Sequence, residues 1–251
     1  MFPLHDDNPT EMIPVVTLLL MGVCVAVWWY VQGAGFSEQA LGESICALGA
    51  IPAEVTGQIS VTAVGQGPCR LGGLTWQALF SSMFLHGSWM HLVGNMWFLW
   101  IFGNNVEDSM GHLRFLAFYV LAGLVAALAH IASDPASPLP MVGASGAISA
   151  IMGAYLVLYP KALVHTLFFF FVFIRVVPLP AFVMVGYWIV IQVASSLLLP
   201  AEGGGVAYMA HIGGFVAGLG LIFVFRNPKL VGAKRSGVVL PRHELDHRGW
   251  W

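Results

Sequence analysis

A chain of 251 residues would ordinarily hold one or two soluble domains, but 58% hydrophobic against 9% charged residues lies far outside that mixture. The formal net charge is only -2, and no basic patch is present to meet nucleic acid. Composition thus excludes an ordinary soluble or nucleic-acid-binding domain and makes the lipid bilayer the expected solvent.

The opening segment, MFPLHDDNPTEM, carries Asp6, Asp7 and Glu11 but no Lys or Arg. It lacks the basic start of a secretory signal, so no cleavage is expected there. A hydrocarbon core of roughly 30 Å takes about 17 to 25 helical residues. Six apolar stretches read as spans: Ile13 to Val31, Trp89 to Phe102, Leu113 to Ile131, Ser145 to Tyr159, Pro180 to Leu199 and Tyr208 to Phe225. Pro14 suits a helix start, and Pro160-Lys161 and Asn227-Pro228 suit helix ends. Between the first two spans, residues 32–87 form the largest extramembrane piece, with LTWQALFSSMFLHG amphipathic in pattern. Cys46 and Cys69 share this loop and can bridge if it faces an oxidising compartment. Cys24 lies in an apolar helix, and three cysteines so far apart make no metal site, so neither a metal nor a cofactor is expected.

A seventh apolar stretch, LVHTLFFFFVFIRVVP, holds His165 and Arg175 between Pro160 and Pro178, and reads as an interfacial or re-entrant segment rather than a span. The expected fold is therefore an all-α membrane protein, six transmembrane helices over residues 13–226 with a large outer loop between helices 1 and 2. Residues 1–12 precede this membrane domain, and 227–251 follow it as a polar, mobile tail.

Lys and Arg orient the chain, because cytoplasmic loops retain an excess of them. The loops after spans two and four plus the C-terminal tail hold Arg114, Lys161, Arg175, Arg226, Lys229, Lys234, Arg235, Arg242 and Arg248, nine of the ten basic residues. The opposite loops hold Arg70 alone, beside Glu38, Glu43, Glu54, Asp134 and Glu202. Both termini are expected in the cytoplasm, with the 32–87 loop outside.

Polar groups inside apolar spans are costly and are candidates for function. Four stand out: His91 and Asn95 in HLVGNMWFLW, Ser145 in GASGAISAIMGAY and His211 in AHIGGFVAGLG. At a rise of about 1.5 Å per residue, Ser145 lies about 24 Å from the cytoplasmic marker Lys161, and His211 about 22 Å from Arg226. The two are expected at one level, recessed about 6 to 8 Å beneath the outer edge of the core. Gly146, Ala150 and Ala154 form a small-residue stripe beside Ser145, and Gly214 with Gly218 a GxxxG after His211, so the helices can approach closely. A neutral His beside a serine hydroxyl can take its proton and activate it. No acidic residue lies near the outer end of either helix, so a dyad is expected rather than a triad. Gly143 and Gly146 flank Ser145 at a helix start, where free backbone N–H groups can bind an oxyanion. His91 and Asn95, four residues apart on one helix face, can donate to the same point. Taken singly, each of these has a bland reading: a membrane Ser bonds its own backbone, and a membrane His or Asn glues helices. Their common depth, with glycines on both partners, favours chemistry.

The same residues resemble the rhomboid family of intramembrane serine proteases, whose pattern is HxxxxHxxxN, then GxSG, then a His followed by glycines. Here it reads His86, His91 and Asn95 in HGSWMHLVGN, Gly143 to Gly146 in GASG, and His211, Gly214 and Gly218 in HIGGFVAGLG, over about Trp76 to Phe225. The resemblance implies a six-helix core that cleaves transmembrane segments of single-pass membrane proteins, with Ser145 as nucleophile, His211 as base and His91 and Asn95 at the oxyanion. His86 and the four glycines take supporting roles, and Glu107 in GNNVED resembles a structural turn after the second span. Two positions depart from the family: Trp76-Gln77 stands where Trp-Arg is frequent, and Ser149 stands where a Tyr often packs against the catalytic His.

The expected reaction has a substrate helix entering laterally and unwinding near the outer face, since helical hydrogen bonds shield the scissile peptide. The fifth span, with Trp188, Gln192, Ser195 and Ser196, is the expected gate by resemblance. The partners are thus single-pass substrates and lipid, with no nucleic acid, and the expected location is a bacterial inner membrane. The rival reading is a non-catalytic relative that binds transmembrane helices, which loss of Ser or His would favour, and neither is lost. A transporter would show repeats and paired charges in its spans, and His86 and His91, five residues apart, do not share a helix face and so make no zinc-protease pair within the spans.

Overall fold

The computed structural model describes residues 1–58, 69, 72, 76–170, 173–198 and 206–235. Most of them are helical, and the chain opens with a strand, β1 (Phe2–Asp6). Helix α1 spans Val15–Tyr30, and the segment after it carries α2 (Glu38–Leu48), α3 (Pro52–Thr56) and α4 (Ala78–Ser81). Helix α5 (Trp89–Phe98) runs through a π turn at Leu99–Gly103 into α6 (Asn104–Met110). Gly111, at φ 83°, ends that run before α7 (His112–Ser133). Helix α8 (Ser145–Leu158) is followed by β2 (Leu163–Phe170) and β3 (Phe173–Pro180), then α9 (Ala181–Leu198), α10 (Tyr208–Phe225) and α11 (Pro228–Arg235).

Three of these helices, α7, α9 and α10, are long and apolar enough to cross a membrane, and α1 and α8 are shorter apolar helices. Their outer faces expose Leu19, Leu128, Val190, Val216 and Val224, a surface that only lipid suits. Inside, Trp28, Phe102, Phe115, Phe118, Tyr119 and Tyr155 are fully buried and form one core.

The all-α expectation is corrected at one place. The stretch read as interfacial or re-entrant is an antiparallel β2–β3 hairpin, and β1 pairs antiparallel with β2 to give the sheet order β1-β2-β3. Its β-branched residues Val164, Thr166, Ile174, Val176 and Val177 suit a strand, and a strand must find a partner for its backbone. The segment before α1 supplies one. Asp6 then turns inward, accepting from Asn105 Nδ2 at 2.9 Å and from the Tyr155 hydroxyl. The tail also starts in order: α11 buries Leu230 and Val231, and Asn227 N–H donates to the Ser109 carbonyl at 2.8 Å. Residues 236–251 lie outside the described residues.

Two acidic side chains fasten α1. Glu107, fully buried, accepts from the backbone N–H of Val16 at 2.9 Å and of Thr17 at 2.8 Å, from Thr17 Oγ1 at 2.7 Å, and from His112 Nδ1 at 2.6 Å. These are the orphan donors of a helix start that has no side-chain cap of its own. Asp108 accepts from Glu11 and Met12 N–H just upstream. In the segment between α1 and α5, Cys46 and Cys69 form a disulfide.

The packing that fixes the site is between α8 and α10. A Cβ on Gly214 would collide with the Gly146 carbonyl, and one on Gly218 with the Ala150 carbonyl. These pairs keep a constant offset along the two helices, so the helices run parallel with their backbones in direct contact. On the other side, a Cβ on Gly153 would strike the Phe215 carbonyl, and one on Gly213 the Ala129 side chain. Small residues here set the interhelical distance.

Candidate active site

Ser145 is the first residue of α8, and His211 lies in the first turn of α10. Because the two helices start side by side, His211 Nε2 sits 2.8 Å from Ser145 Oγ. His211 Nδ1 is 2.7 Å from Oε1 of Gln192, which α9 supplies. An amide oxygen only accepts, so Nδ1 carries the proton and Nε2 presents its lone pair to the serine O–H. Gln192 and His211 are both buried, so water competes little for this contact. The ring of Trp188, one turn before Gln192, lies 5.8 Å from the imidazole at a 37° tilt. Ser149 turns away and donates to its own helix at the Ser145 carbonyl, 2.6 Å. The aromatic neighbour of His211 thus comes from α9, not from α8.

The sequence marks Gln192 and Trp188 as parts of a gate and misses their hold on His211. The available signal was Gln192 itself, a polar amide in an apolar span.

The Ser145 start is shaped by its neighbours. Gly143 has φ 127°, a conformation that favours glycine, and its N–H donates to the Ser82 carbonyl at 2.8 Å. A Cβ there would lie 2.7 Å from His91 Nε2 and 3.5 Å from Ser145 Oγ, which puts His91 beside the serine. His91 Nδ1 accepts from the Gly87 N–H at 3.3 Å, leaving Nε2–H as a donor on the Gly143 side. Asn95 is buried, and its Nδ2 has no hydrogen-bond partner among the described residues. A buried amide without an acceptor is costly, and it is the kind of donor that a developing oxyanion would satisfy. Helix α8 starts without a side-chain cap, so its first N–H groups face the same region.

His86 is fully buried and meets the His91 ring edge to face at 5.2 Å. Its backbone is pinned by Gln32, whose side-chain amide donates to the His86 carbonyl and accepts from the His86 N–H, both at 2.8 Å. Gln32 went unmarked in the sequence. Beside Ser145 lies a small cavity lined by Ser82, Gly143, Gly146 and Ala210 together with Met83 and Met141, its lining mostly small residues.

The Rhomboid domain family model matches residues 73–228. The chain belongs to the rhomboid family. It is therefore an integral membrane protein of a family that includes serine proteases. It is 28% identical to RHOMBOID-like protein 5 of Arabidopsis thaliana over 183 residues, 70% of this chain and 52% of that one. It is 42% identical to Rhomboid protease GluP of Bacillus subtilis over 81 residues, 32% of this chain and 15% of that protein. Against Rhomboid protein 1, mitochondrial, of Saccharomyces cerevisiae it is 28% identical over 151 residues, 57% of this chain and 40% of that one. The chain spans about half, or less, of the length of these relatives. Because mitochondrial proteins stand among them, the likeness carries a membrane location and gives no support to a bacterial inner membrane in particular.

Proposed function

We propose that this rhomboid is an intramembrane serine endopeptidase that cleaves transmembrane segments with a Ser145–His211 dyad. The observation that carries the reading is the hydrogen-bonded chain Ser145 Oγ, His211 Nε2 at 2.8 Å and His211 Nδ1 to Gln192 at 2.7 Å. In this mechanism Oγ attacks the scissile carbonyl carbon while Nε2 takes the hydroxyl proton. His91, Asn95 and the N–H groups at the start of α8 receive the charge that moves onto the carbonyl oxygen. The imidazolium then gives its proton to the leaving amine, and water hydrolyses the acyl-enzyme by the same route in reverse. Gln192 accepts from Nδ1–H throughout, so that Nε2 is the nitrogen that gains and loses the proton.

Substrate enters by α9. That helix is the least enclosed of the long apolar three, with 22% of its residues buried against 44% along the most apolar stretch of α7, yet it holds His211 through Trp188 and Gln192. The small residues around the cavity beside Ser145 fit a substrate with a small side chain at the cleaved bond. We further propose six crossings with both termini cytoplasmic, the second crossing being the continuous run α5–α6. The Lys and Arg distribution supports this, and a disulfide in the loop between the first two crossings fits an oxidising outer side.

The test is cleavage of a tagged single-pass substrate in membranes. The parent should cleave, and Ser145→Ala and His211→Ala should not; a fluorophosphonate should label the parent but not Ser145→Ala. Cleavage by both variants at the parent's rate would sink the proposal.

A further inference from the structure

We propose that His5, Asp7 and His165 form a binding site for a divalent transition-metal ion, Zn2+ by its ligand chemistry, which clips the N-terminal strand to the β2–β3 hairpin. His5 and His165 face each other across the β1–β2 ladder. Asp7 follows two residues after His5, on the same side of the extended chain, and its N–H continues the ladder to the Leu163 carbonyl at 2.9 Å. The alternation sends Asp6 inward to Asn105 and Tyr155, and leaves Asp7 outside with the two imidazoles.

The three side chains already converge. The imidazole rings of His5 and His165 stack at 4.2 Å, with planes 23° apart. His165 Nε2 lies 3.0 Å from both carboxylate oxygens of Asp7. One ligand atom from each residue lies within 4.8 Å of the others. A tetrahedral ion with bonds of about 2.0 to 2.1 Å needs donor atoms roughly 3.3 Å apart. His5 and Asp7 are exposed, so rotation of their side chains can close the difference.

The donor set selects the metal. Two imidazole nitrogens with one carboxylate suit Zn2+ and its late first-row neighbours and leave a fourth position for water. Mg2+ and Ca2+ prefer oxygen donors throughout. Bound metal would tie together segments about 160 residues apart that otherwise meet only through strand pairing and its flanking contacts. Because β3 ends at Pro180 and α9 starts at Ala181, the clip also steadies the base of the helix that holds His211. The site is independent of the proteolytic reading.

The experiment is a calorimetric Zn2+ titration of the full chain in detergent micelles, purified without a polyhistidine tag and stripped with chelator. The expected result is about one Zn2+ per chain at micromolar affinity, with no response to Mg2+. Each of His5→Gln, Asp7→Asn and His165→Gln should weaken binding at least about tenfold, and Zn2+ should raise the unfolding temperature of the parent but not of these variants. The tail also carries histidines at i, i+4 in HELDH, so His243→Gln with His247→Gln serves as the control and should keep the tight site. The proposal is overturned if the parent binds no Zn2+ at micromolar concentration, or if the tail variant loses the tight site while the three sheet variants retain it.

Discussion

His211 is held at both ring nitrogens, and the two contacts make different demands. In the proposed dyad Nε2 must be free to take the Ser145 proton, which requires Nδ1 to keep its own, and Gln192 Oε1 accepts from it at 2.7 Å. Gln192→Leu should therefore lower kcat by about 10- to 100-fold, the worth of roughly 1 to 3 kcal/mol of hydrogen bonding to a buried group. Gln192→Glu, which keeps an acceptor at that point, should recover much of the loss, whereas a merely structural role would give no such rescue. The unpartnered Asn95 Nδ2 predicts a second outcome. Asn95→Ala should cost on the order of 100- to 1000-fold in kcat, with little change in KM, because in the proposed mechanism the donor acts only on the charge of the transition state. Steady-state cleavage in micelles separates the two parameters.

At the level of elements, the α8–α10 contact is the tightest and the least tolerant. Gly218→Ala would drive a methyl into the Ala150 carbonyl, whereas Gly220 on the same helix has nothing within 4 Å of its added Cβ among the described residues. Gly218→Ala should cost about 1 to 3 kcal/mol of stability and Gly220→Ala close to none, read by thermal unfolding of the two variants side by side. Of the two carboxylates that fasten α1, Glu107 alone takes the N–H groups of its first turn. Glu107→Ala would strand the Val16 and Thr17 N–H groups in the core and should destabilise by about 2 to 5 kcal/mol. The small-residue stripes were legible in the sequence because glycine spacing at four residues has one structural use in lipid. The sheet was not, because a short apolar run can be strand or helix until its partner is known, and β1 comes from the far end of the chain.

Over the whole molecule, the proposed topology puts the disulfide on one face of the membrane and nearly all of the basic residues on the other. The Cys46–Cys69 bridge closes a separation of 23 residues, and its reduction should lower stability by up to about 3 kcal/mol on a chain-entropy basis. Unfolding with and without reductant measures this, with Cys46→Ser insensitive to the reductant. A cysteine placed by Ser236→Cys should react with an impermeant thiol reagent only from the cytoplasmic side. Labelling from outside would overturn the six-crossing topology.

Much of the candidate site was legible in the residues alone. Ser145, His211, His91 and Asn95 stand out because each is a polar group in an apolar stretch, and helical rise brings the first two to one depth. The tertiary structure decided how they are held. Gln192 reaches His211 across 19 residues, Glu107 caps α1 across 91 and Asp7 meets His165 across 158. Local pattern reports which face a residue occupies on its own element. It carries no information on which distant side chain will share a buried proton, and that choice follows only from the packing of the helices against one another.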